Sequence, residues 1–290
     1  MSMKDTEGNI ITPFEIEEEL TNYNTSKYHI ICVPYSETVS YLRGSDKAPE
    51  AIIKASAHVE MYDIDSESEP CFKGISLKEI NVNTDIKQIW KNIGEEVDKC
   101  LKDGKFPVIL GGEHSISHGG ILACQAHSPD ICILQIDAHS DIRSEFNNDP
   151  YNHACALRHA FNENIPIIQV GIRAIDKEEH LLIKNNPNKI KTFFASKTGL
   201  DIKEVIKSIT NTNVYLTIDL DGFDPSVIPA VGTPEPGGLN WYEVINLLET
   251  LFKQFNVMAA DIVELAPNET STPSDFTAAK LLYKLLSFKT

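Results

Sequence analysis

Three apolar segments of this chain have the composition of buried strands, and metal-binding side chains follow each of them. The segments and their trailing residues are 106–110 with His114, 131–136 with Asp137, His139 and Asp141, and 213–218 with Asp219 and Asp221. Buried strands of this kind are typical of parallel sheets, in which the carboxyl ends of the strands meet at one edge and form ligand sites. The sequence therefore predicts a metal site at that edge.

The charges of these side chains predict two metal ions. In an extended chain Asp137, His139 and Asp141 point to one side, because they occupy alternate positions. Together with Asp219 and Asp221 they bring four carboxylates, which repel one another unless cations are present. Two divalent ions cancel all four charges, whereas one ion cancels two. Oxygen-rich ligands with one imidazole per metal favour Mn²⁺ over structural Zn²⁺, and such a pair can lower the pKa of a shared water.

Each motif alone has an ordinary structural interpretation. Polar residues after a strand often form a loop or a helix cap, and Asp221-Gly222 with Asp224-Pro225 is also typical of a turn. His114 alone could simply start a helix. A purely structural interpretation does not explain why three separate strands end in this way, so we favour the metal site.

Five motifs resemble, in their order along the chain, the signatures of the ureohydrolases, the family of arginase, agmatinase, guanidinobutyrase and formimidoylglutamase. They are residues 111–115 (GGEHS), 137–141 (DAHSD), 219–225 (DLDGFDP), 232–238 (GTPEPGG) and 261–267 (DIVELAP). The resemblance extends from about residue 33 to the C-terminus and departs at Ala230-Val231, where a second glycine is often found before Gly232. It implies a binuclear-manganese hydrolase that cleaves a guanidino compound to urea and an amine.

The resemblance also implies roles for three acidic or basic side chains. Glu264 follows a predicted strand and corresponds to the glutamate that holds the substrate, since a carboxylate pairs well with a planar guanidinium. His153 corresponds to the proton shuttle near the mouth of the site, a role that a pKa near neutrality suits. Asp141 is expected to accept a hydrogen bond from the nucleophile, and His153 to protonate the departing amine.

Agmatine is the predicted substrate, and putrescine and urea are the predicted products. The segment 142–150 lacks the Asn and Ser pattern of arginase-like members and is similar to a bacterial and archaeal agmatinase subgroup with a His-Ala pair, here His153-Ala154. Glu145 and Asp149 suit a substrate with a cationic tail, whereas Arg143 would favour a tail that carries a carboxylate. Arginine, guanidinobutyrate and formiminoglutamate therefore remain alternatives.

Two other classes of protein remain open at this point. One is a deacetylase-like metallohydrolase, which shares the sheet architecture but binds a single Zn²⁺. The other is a catalytically silent binding protein on an enzyme scaffold. A count of bound metals distinguishes the first, and metal-dependent urea release excludes the second.

Alternating strand and helix patterns predict an α/β fold of three layers, with a mostly parallel central sheet and helices on both faces. Predicted strands are 28–34, 106–110, 131–136, 165–170, 190–194, 213–218 and 257–263. Predicted helices are 86–103, 115–126, 154–163, 176–186, 201–210, 240–254 and 274–288. Residues 1–25 are predicted to be an N-terminal extension of a single ureohydrolase domain, 26–290.

The formal net charge of −16 disfavours nucleic acid and anionic membranes as partners and favours a small cationic guanidino substrate. The sequence has neither an apolar run of membrane-spanning length nor a signal-peptide pattern. Its six cysteines are scattered, which predicts reduced core thiols in a cytoplasmic protein; Cys155 lies two residues after His153. The family resemblance implies a homo-oligomer, a trimer or hexamer.

Overall fold

The computed structural model describes residues 11–268 and 272–289, and these residues form one eight-stranded sheet whose strands are all parallel. The strands are β1 (Tyr28–Val33), β2 (Ile75–Glu79), β3 (Phe106–Gly111), β4 (Ile131–Ile136), β5 (Ile167–Ile172), β6 (Ile190–Phe194), β7 (Asn213–Asp219) and β8 (Asn256–Val263). Their order in the sheet is β2-β1-β3-β8-β7-β4-β5-β6. The predicted α/β class with a parallel central sheet is confirmed.

Helices cover both faces of this sheet. They are α1 (Ala48–Ser56), α2 (Ile86–Lys102), α3 (Ser117–His127), α4 (Arg158–Asn162), α5 (Lys177–Asn185), α6 (Ile202–Ser208), α7 (Trp241–Gln254) and α8 (Thr272–Phe288). Alternate residues of one strand enter two different cores, because successive side chains of a strand point to opposite faces. Ile30 packs in the core that contains α1, α6, α7 and α8, and Ile31 packs in the core beneath α2 and α3.

Two elements were not predicted. Strand β2 lies at the edge of the sheet and carries the exposed residue Glu79, so it lacks the apolar composition of the inner strands. Helix α1 is short and follows a 3-10 turn. The predicted helix 154–163 is also shorter, because residues His153–Cys155 form a 3-10 turn that the Asn152 side chain caps through the N–H of Ala154.

Part of the predicted N-terminal extension, residues 1–10, lies outside the described residues. Downstream of it, Phe14 is buried and its ring centroid lies 4.8 Å from that of Tyr283 in α8. The division at residue 25 stays a prediction. Across the described ranges, no helix combines the length and the apolar character that a bilayer crossing requires. All six cysteines are buried and free, as predicted.

Candidate active site

The four central strands, β3, β8, β7 and β4, carry the candidate site at their carboxyl ends. Two overlapping sets of side chains there offer ligand atoms that lie within 4.8 Å of one another. The sets are His114, Asp137, Asp141 and Asp219, and Asp137, His139 and Asp221. All six predicted ligands are thus brought together, and Asp137 belongs to both sets. Glu264, directly after β8, and His153 reach the same edge.

The His114 ring is fully buried and its Nδ1 atom faces three carboxylates. Nδ1 lies 3.2 Å from Asp137 Oδ2, 3.0 Å from Asp141 Oδ2 and 3.4 Å from Asp219 Oδ2. Among residues 11–268 and 272–289 it has no partner with hydrogen-bond geometry. A buried nitrogen surrounded by oxygens at these distances is the arrangement that a shared cation requires. The donor set therefore fits a metal.

The proton on His114 is fixed from the opposite side of the ring. Its Nε2 atom lies 2.8 Å from Thr217 Oγ1, and that hydroxyl donates to Asp261 Oδ1 at 2.6 Å. Because the Thr217 proton is used for Asp261, the hydroxyl accepts a hydrogen bond from Nε2–H. The Nδ1 lone pair is then directed at the carboxylates, as a metal-binding histidine needs.

The second set is built around Asp221. His139 Nδ1 lies 2.9 Å from Asp221 Oδ2, and the other oxygen of Asp221 accepts from the Ala138 N–H at 3.0 Å. The backbone N–H of His139 donates to Asp137 Oδ1 at 2.6 Å. Backbone donors therefore hold two of the carboxylates in place before any ligand binds.

Crowding changes the protonation of these carboxylates. Burial, with the charges of Asp141 and Asp221, raises the pKa of Asp137 to about 7, and burial raises that of Asp219 well above its ordinary value. Burial also opposes ionisation of Asp221, but the His139 ring outweighs it and lowers the pKa to about 2. The four carboxylates are thus not all ionised near neutrality without cations, as the sequence predicted.

A ladder of amides and a hydroxyl orients Asp137. Gln135 Nε2 donates to Asp137 Oδ2 at 2.7 Å, Gln169 Nε2 donates to Gln135 Oε1 at 2.8 Å, and Thr192 donates to Gln169 Oε1 at 2.8 Å. These residues come from β4, β5 and β6. Sequence analysis did not identify them, because a polar residue within one strand gives no indication of its partner on the next.

Two residues of the site have a left-handed backbone. Asp141 has φ 52° and Glu264 has φ 67°, conformations that cost a non-glycine residue about 1–3 kcal/mol and often occur at functional sites. Backbone bonds hold both: the Leu157 N–H donates to Asp141 O at 2.9 Å, and the Glu264 N–H to Gly112 O at 2.7 Å. Gly112 must lack a side chain, because a Cβ there would lie 2.1 Å from Tyr35 O.

His153 and Glu264 meet beside the metal ligands. His153 Nδ1 lies 3.4 Å from Glu264 Oε1. The same oxygen also accepts a hydrogen bond from the backbone N–H of His114 at 2.7 Å. Burial lowers the pKa of His153, but Glu264 and the other nearby carboxylates outweigh it and raise the pKa to about 9. This is higher than the near-neutral pKa that sequence analysis associated with a proton shuttle. Cations in the site would lower it again.

Glu113 and Thr38, which sequence analysis did not single out as site residues, position the segment that carries His153. The fully buried Glu113 carboxylate accepts the Thr38 N–H at 2.6 Å and the Thr38 hydroxyl at 2.7 Å. Thr38 Oγ1 then accepts the His153 N–H at 2.9 Å. The GGEHS motif thus contributes its glutamate to the support of His153 as well as its histidine to the cluster.

A cavity of about 320 Å³ opens above these residues and is lined by His139, Asp141, His153, Asp219, Asp221 and Glu264. Its further lining includes the charged residues Arg143, Asp176, Glu179 and Glu235. Arg143 contacts two of them, with 3.4 Å from its Nη1 atom to Asp176 Oδ2 and 3.4 Å from its Nε atom to Glu179 Oε2. Carboxylates outnumber the cation in this outer part of the cavity.

Glu145 and Asp149, predicted to bind the substrate, do not line the cavity. Glu145 is exposed, and Asp149 Oδ1 accepts the Tyr151 N–H at 2.9 Å. The reason is a tight turn between Phe146 and Asp149, whose backbones bond to each other in both directions. Sequence alone did not show this turn, and the acidic residues that replace them in the cavity come from distant segments.

Comparisons with known proteins identify the family of this chain. Residues 26–287 match the arginase family. An N(1)-aminopropylagmatine ureohydrolase from Synechocystis sp. is 38% identical over 282 residues, which cover 93% of this chain and 92% of that protein. An agmatinase from Halalkalibacterium halodurans is 32% identical over 272 residues, which cover 92% of this chain and 93% of that protein. The crystal structure of the agmatine ureohydrolase of Thermoplasma volcanium superposes with a TM-score of 0.84 at 32% identity. The superposition covers 92% of this chain and 91% of that protein.

The fold and the site together define a metal-dependent hydrolase. The chain belongs to the arginase family, a class of binuclear metal enzymes. Within that family it is an agmatinase-like ureohydrolase, so the predicted family and enzyme class are confirmed. The deacetylase-like and silent-binding alternatives have no comparable support.

Proposed function

We propose that the enzyme hydrolyses a guanidino compound with a cationic tail to urea and an amine, using two Mn²⁺ ions, and that agmatine is its substrate. The observation that carries this proposal is the pair of ligand sets sharing Asp137 beneath a cavity whose outer lining is acidic. The residues that would hold the metals are His114, Asp137, His139, Asp141, Asp219 and Asp221. When bound, two such ions supply a water molecule of lowered pKa as the nucleophile.

The side chains of the enzyme orient the substrate. The carboxylate of Glu264 lines the cavity and can accept hydrogen bonds from the guanidinium through the oxygen that does not accept the His114 N–H. Its backbone is fixed by Gly112, so the carboxylate is held in place before the substrate binds. Asp141 can accept a hydrogen bond from the attacking water.

His153 would supply the proton that the leaving amine needs. Its Nδ1 faces Glu264, whereas its buried Nε2 has no hydrogen-bond partner in the described part of the chain, and its side chain lines the cavity. The contact with Glu264 favours the protonated ring, which is the form that can donate. A nearby carboxylate and a fixed backbone thus keep the donor charged and oriented.

The acidic outer lining favours a cationic tail over a carboxylate. Asp176, Glu179 and Glu235 together exceed the single charge of Arg143. Repulsion of a substrate carboxylate in such a setting is worth about 1–3 kcal/mol after screening. We therefore expect agmatine to be preferred over arginine by roughly ten- to a hundredfold in kcat/KM.

N(1)-aminopropylagmatine is a second candidate substrate. Its aminopropyl group adds a second ammonium group beyond the single amine of agmatine, which Asp176 or Glu235 could receive. The Synechocystis relative named for this activity is also more similar to the chain than the agmatinase described above. Both candidates share the guanidinium and its site, so they differ only in how far the tail extends into the acidic region.

The test is urea release by purified enzyme, first stripped of metal and then supplied with Mn²⁺ or another divalent ion. The substrates are agmatine, N(1)-aminopropylagmatine, arginine, guanidinobutyrate and formiminoglutamate. Urea from agmatine or its aminopropyl derivative alone supports the proposal, and equal rates with arginine contradict it. Elemental analysis should give two Mn²⁺ ions per chain. The homo-oligomer and the cytoplasmic location stay predictions.

A further inference from the structure

A second cluster of metal-binding side chains lies at the opposite, amino-terminal edge of the sheet. His29 is the second residue of β1, while Glu96 and Cys100 are one helical turn apart near the end of α2. One ligand atom from each residue lies within 4.8 Å of the others. The end of α2 is anchored at this edge, because the Lys105 N–H donates to Cys100 O immediately before β3 begins. None of the three residues belongs to a ureohydrolase motif.

Hydrogen bonds determine which nitrogen of His29 carries a proton. Its Nδ1 atom lies 2.8 Å from Ser76 Oγ, which is itself 2.7 Å from Ser26 Oγ. The two hydroxyls also donate to backbone carbonyls, Ser76 to Tyr28 O and Ser26 to Tyr23 O. The Ser26–Ser76 contact and the two carbonyl contacts together can use both hydroxyl protons, and we therefore assign Nδ1–H of His29 as the donor to Ser76. The lone pair of a neutral His29 then lies on Nε2.

That Nε2 atom lies close to a carboxylate that is displaced from the direction of a hydrogen bond. It lies 3.2 Å from Glu96 Oε1, yet over the described ranges no atom meets hydrogen-bond geometry with it. The His29 side chain is 97% buried. A lone pair facing a carboxylate is repulsive unless a positive centre lies between them. The same arrangement occurs at His114, whose orphaned Nδ1 faces carboxylate oxygens at 3.0–3.4 Å.

We propose that His29, Glu96 and Cys100 bind one Zn²⁺ ion at a site separate from the catalytic centre. One imidazole, one carboxylate and one thiolate form a ligand set that suits zinc, whereas Mn²⁺ prefers oxygen. The distance of 3.2 Å between Nε2 and Oε1 matches two ligands of one tetrahedral ion with bonds of about 2.0–2.2 Å. Water can complete the coordination, since Glu96 is partly accessible.

The charges of the proposed site are balanced. Thiolate and carboxylate cancel the two charges of the ion, and binding displaces the thiol proton of Cys100 into solvent. Burial raises the pKa of that thiol to about 12, so the metal-free site holds Cys100 as a thiol. Lys99 Nζ, 3.2 Å from Glu96 Oε1, has a second interaction over the Tyr23 ring at 3.7 Å. Lys99 can therefore leave the Glu96 carboxylate free to bind the metal and still keep its contact with the Tyr23 ring.

Cobalt tests the proposal, because a Co²⁺ ion bound to a thiolate gives a charge-transfer absorption band in the near ultraviolet. The six candidate catalytic ligands include no cysteine, so the band reports on the zinc site alone, even when the catalytic site also takes up cobalt. We expect the metal-free full-length enzyme to develop the band on titration with Co²⁺, and one equivalent of Zn²⁺ to remove it.

Cys100→Ser should abolish the band, and Cys124→Ser is the matched control, since Cys124 is an equally buried cysteine in α3. Cys155→Ser should also keep the band, which excludes a thiol near the catalytic centre. If Cys100→Ser does not fold, His29→Gln removes a different ligand and should weaken cobalt binding at least about tenfold. Absence of the band in the unmodified enzyme, or its survival in folded Cys100→Ser, would overturn the proposal.

Discussion

The two edges of the sheet carry clusters that differ in how they are built. At the carboxyl edge, six candidate ligands come from short motifs that follow β3, β4 and β7, and a further layer of hydrogen bonds orients them. At the amino edge, three residues come together from one strand and one helix. The first cluster can be found by inspecting where apolar segments end. The second becomes visible only when α2 has packed beside β1, so the sequence contains no local pattern for it.

The largest loss of activity should follow replacement of a candidate metal ligand at the carboxyl edge. Asp219→Ala should release at least one metal and lower turnover by at least about a thousandfold, because the cluster loses a carboxylate and the nucleophile loses its activation. Asp98→Ala, on the exposed face of α2, is the control. Elemental analysis and urea release measure the two effects. A variant with two Mn²⁺ ions and normal activity would show that Asp219 is not a ligand.

His153→Asn should separate proton transfer from metal binding. We expect both metals and most substrate affinity to remain, while kcat falls by about 10²–10⁴, because the leaving amine lacks its proton donor. Steady-state kinetics across neutral pH and a metal count provide the measurement. Undiminished kcat over that range would rule out the shuttle role.

The acidic lining should control the choice between agmatine and arginine. Combining Asp176→Asn with Glu235→Gln should narrow the preference for agmatine by roughly tenfold or more, because fewer charges repel the carboxylate of arginine. Asparagine can still cap α5, where Asp176 accepts the Glu179 N–H at 2.8 Å. Glu145→Gln is the matched control and should leave the ratio of the two kcat/KM values unchanged. A change in that control alone would restore the role that the sequence suggested for Glu145.

Loss of the ladder behind Asp137 should weaken metal binding without removing a ligand. In Gln135→Leu the carboxylate of Asp137 loses its 2.7 Å donor, and metal affinity should fall by about 10–100-fold. Competition with a chelator measures the affinity directly. Thr192→Val, at the far end of the ladder, should have a smaller effect of the same sign. Equal affinities in all three proteins would mean that the ladder only satisfies buried polar groups.

The smallest effect on catalysis should come from the amino edge. Cys100→Ser should keep kcat/KM for the preferred substrate within about twofold, since the residue lies at the opposite end of the sheet and contacts no candidate catalytic group. Urea release with saturating Mn²⁺ measures this. A large loss of activity in a folded variant would show that the two edges are coupled.

Much of the fold and of the candidate metal cluster could be predicted from sequence, because both depend on local patterns. Apolar runs gave the inner strands, and their polar ends gave all six members of the cluster. Strand β2 was not predicted because it has only two large apolar residues, Ile75 and Leu77, whereas the other edge strand, β6, has three. The sequence favours Glu145 and Asp149 because acidic residues on that loop suit a cationic tail, but it does not show the turn between Phe146 and Asp149. Asp176 and Glu235 approach the cavity from later segments, and Thr38 reaches His153 from an early loop, so each requires the tertiary structure.

At Asp141 and Glu264 the left-handed backbone lowers the stability of the fold, while the side chain provides a carboxylate to the candidate site. Glycine would adopt either conformation without steric cost, so selection for a stable fold alone favours glycine at both places. At both positions the side chain is a carboxylate that lines the candidate site. Glu15 and Glu67 adopt the same conformation outside that site, so the left-handed backbone indicates selection for the chemistry only where the carboxylate also lies beside the metal cluster.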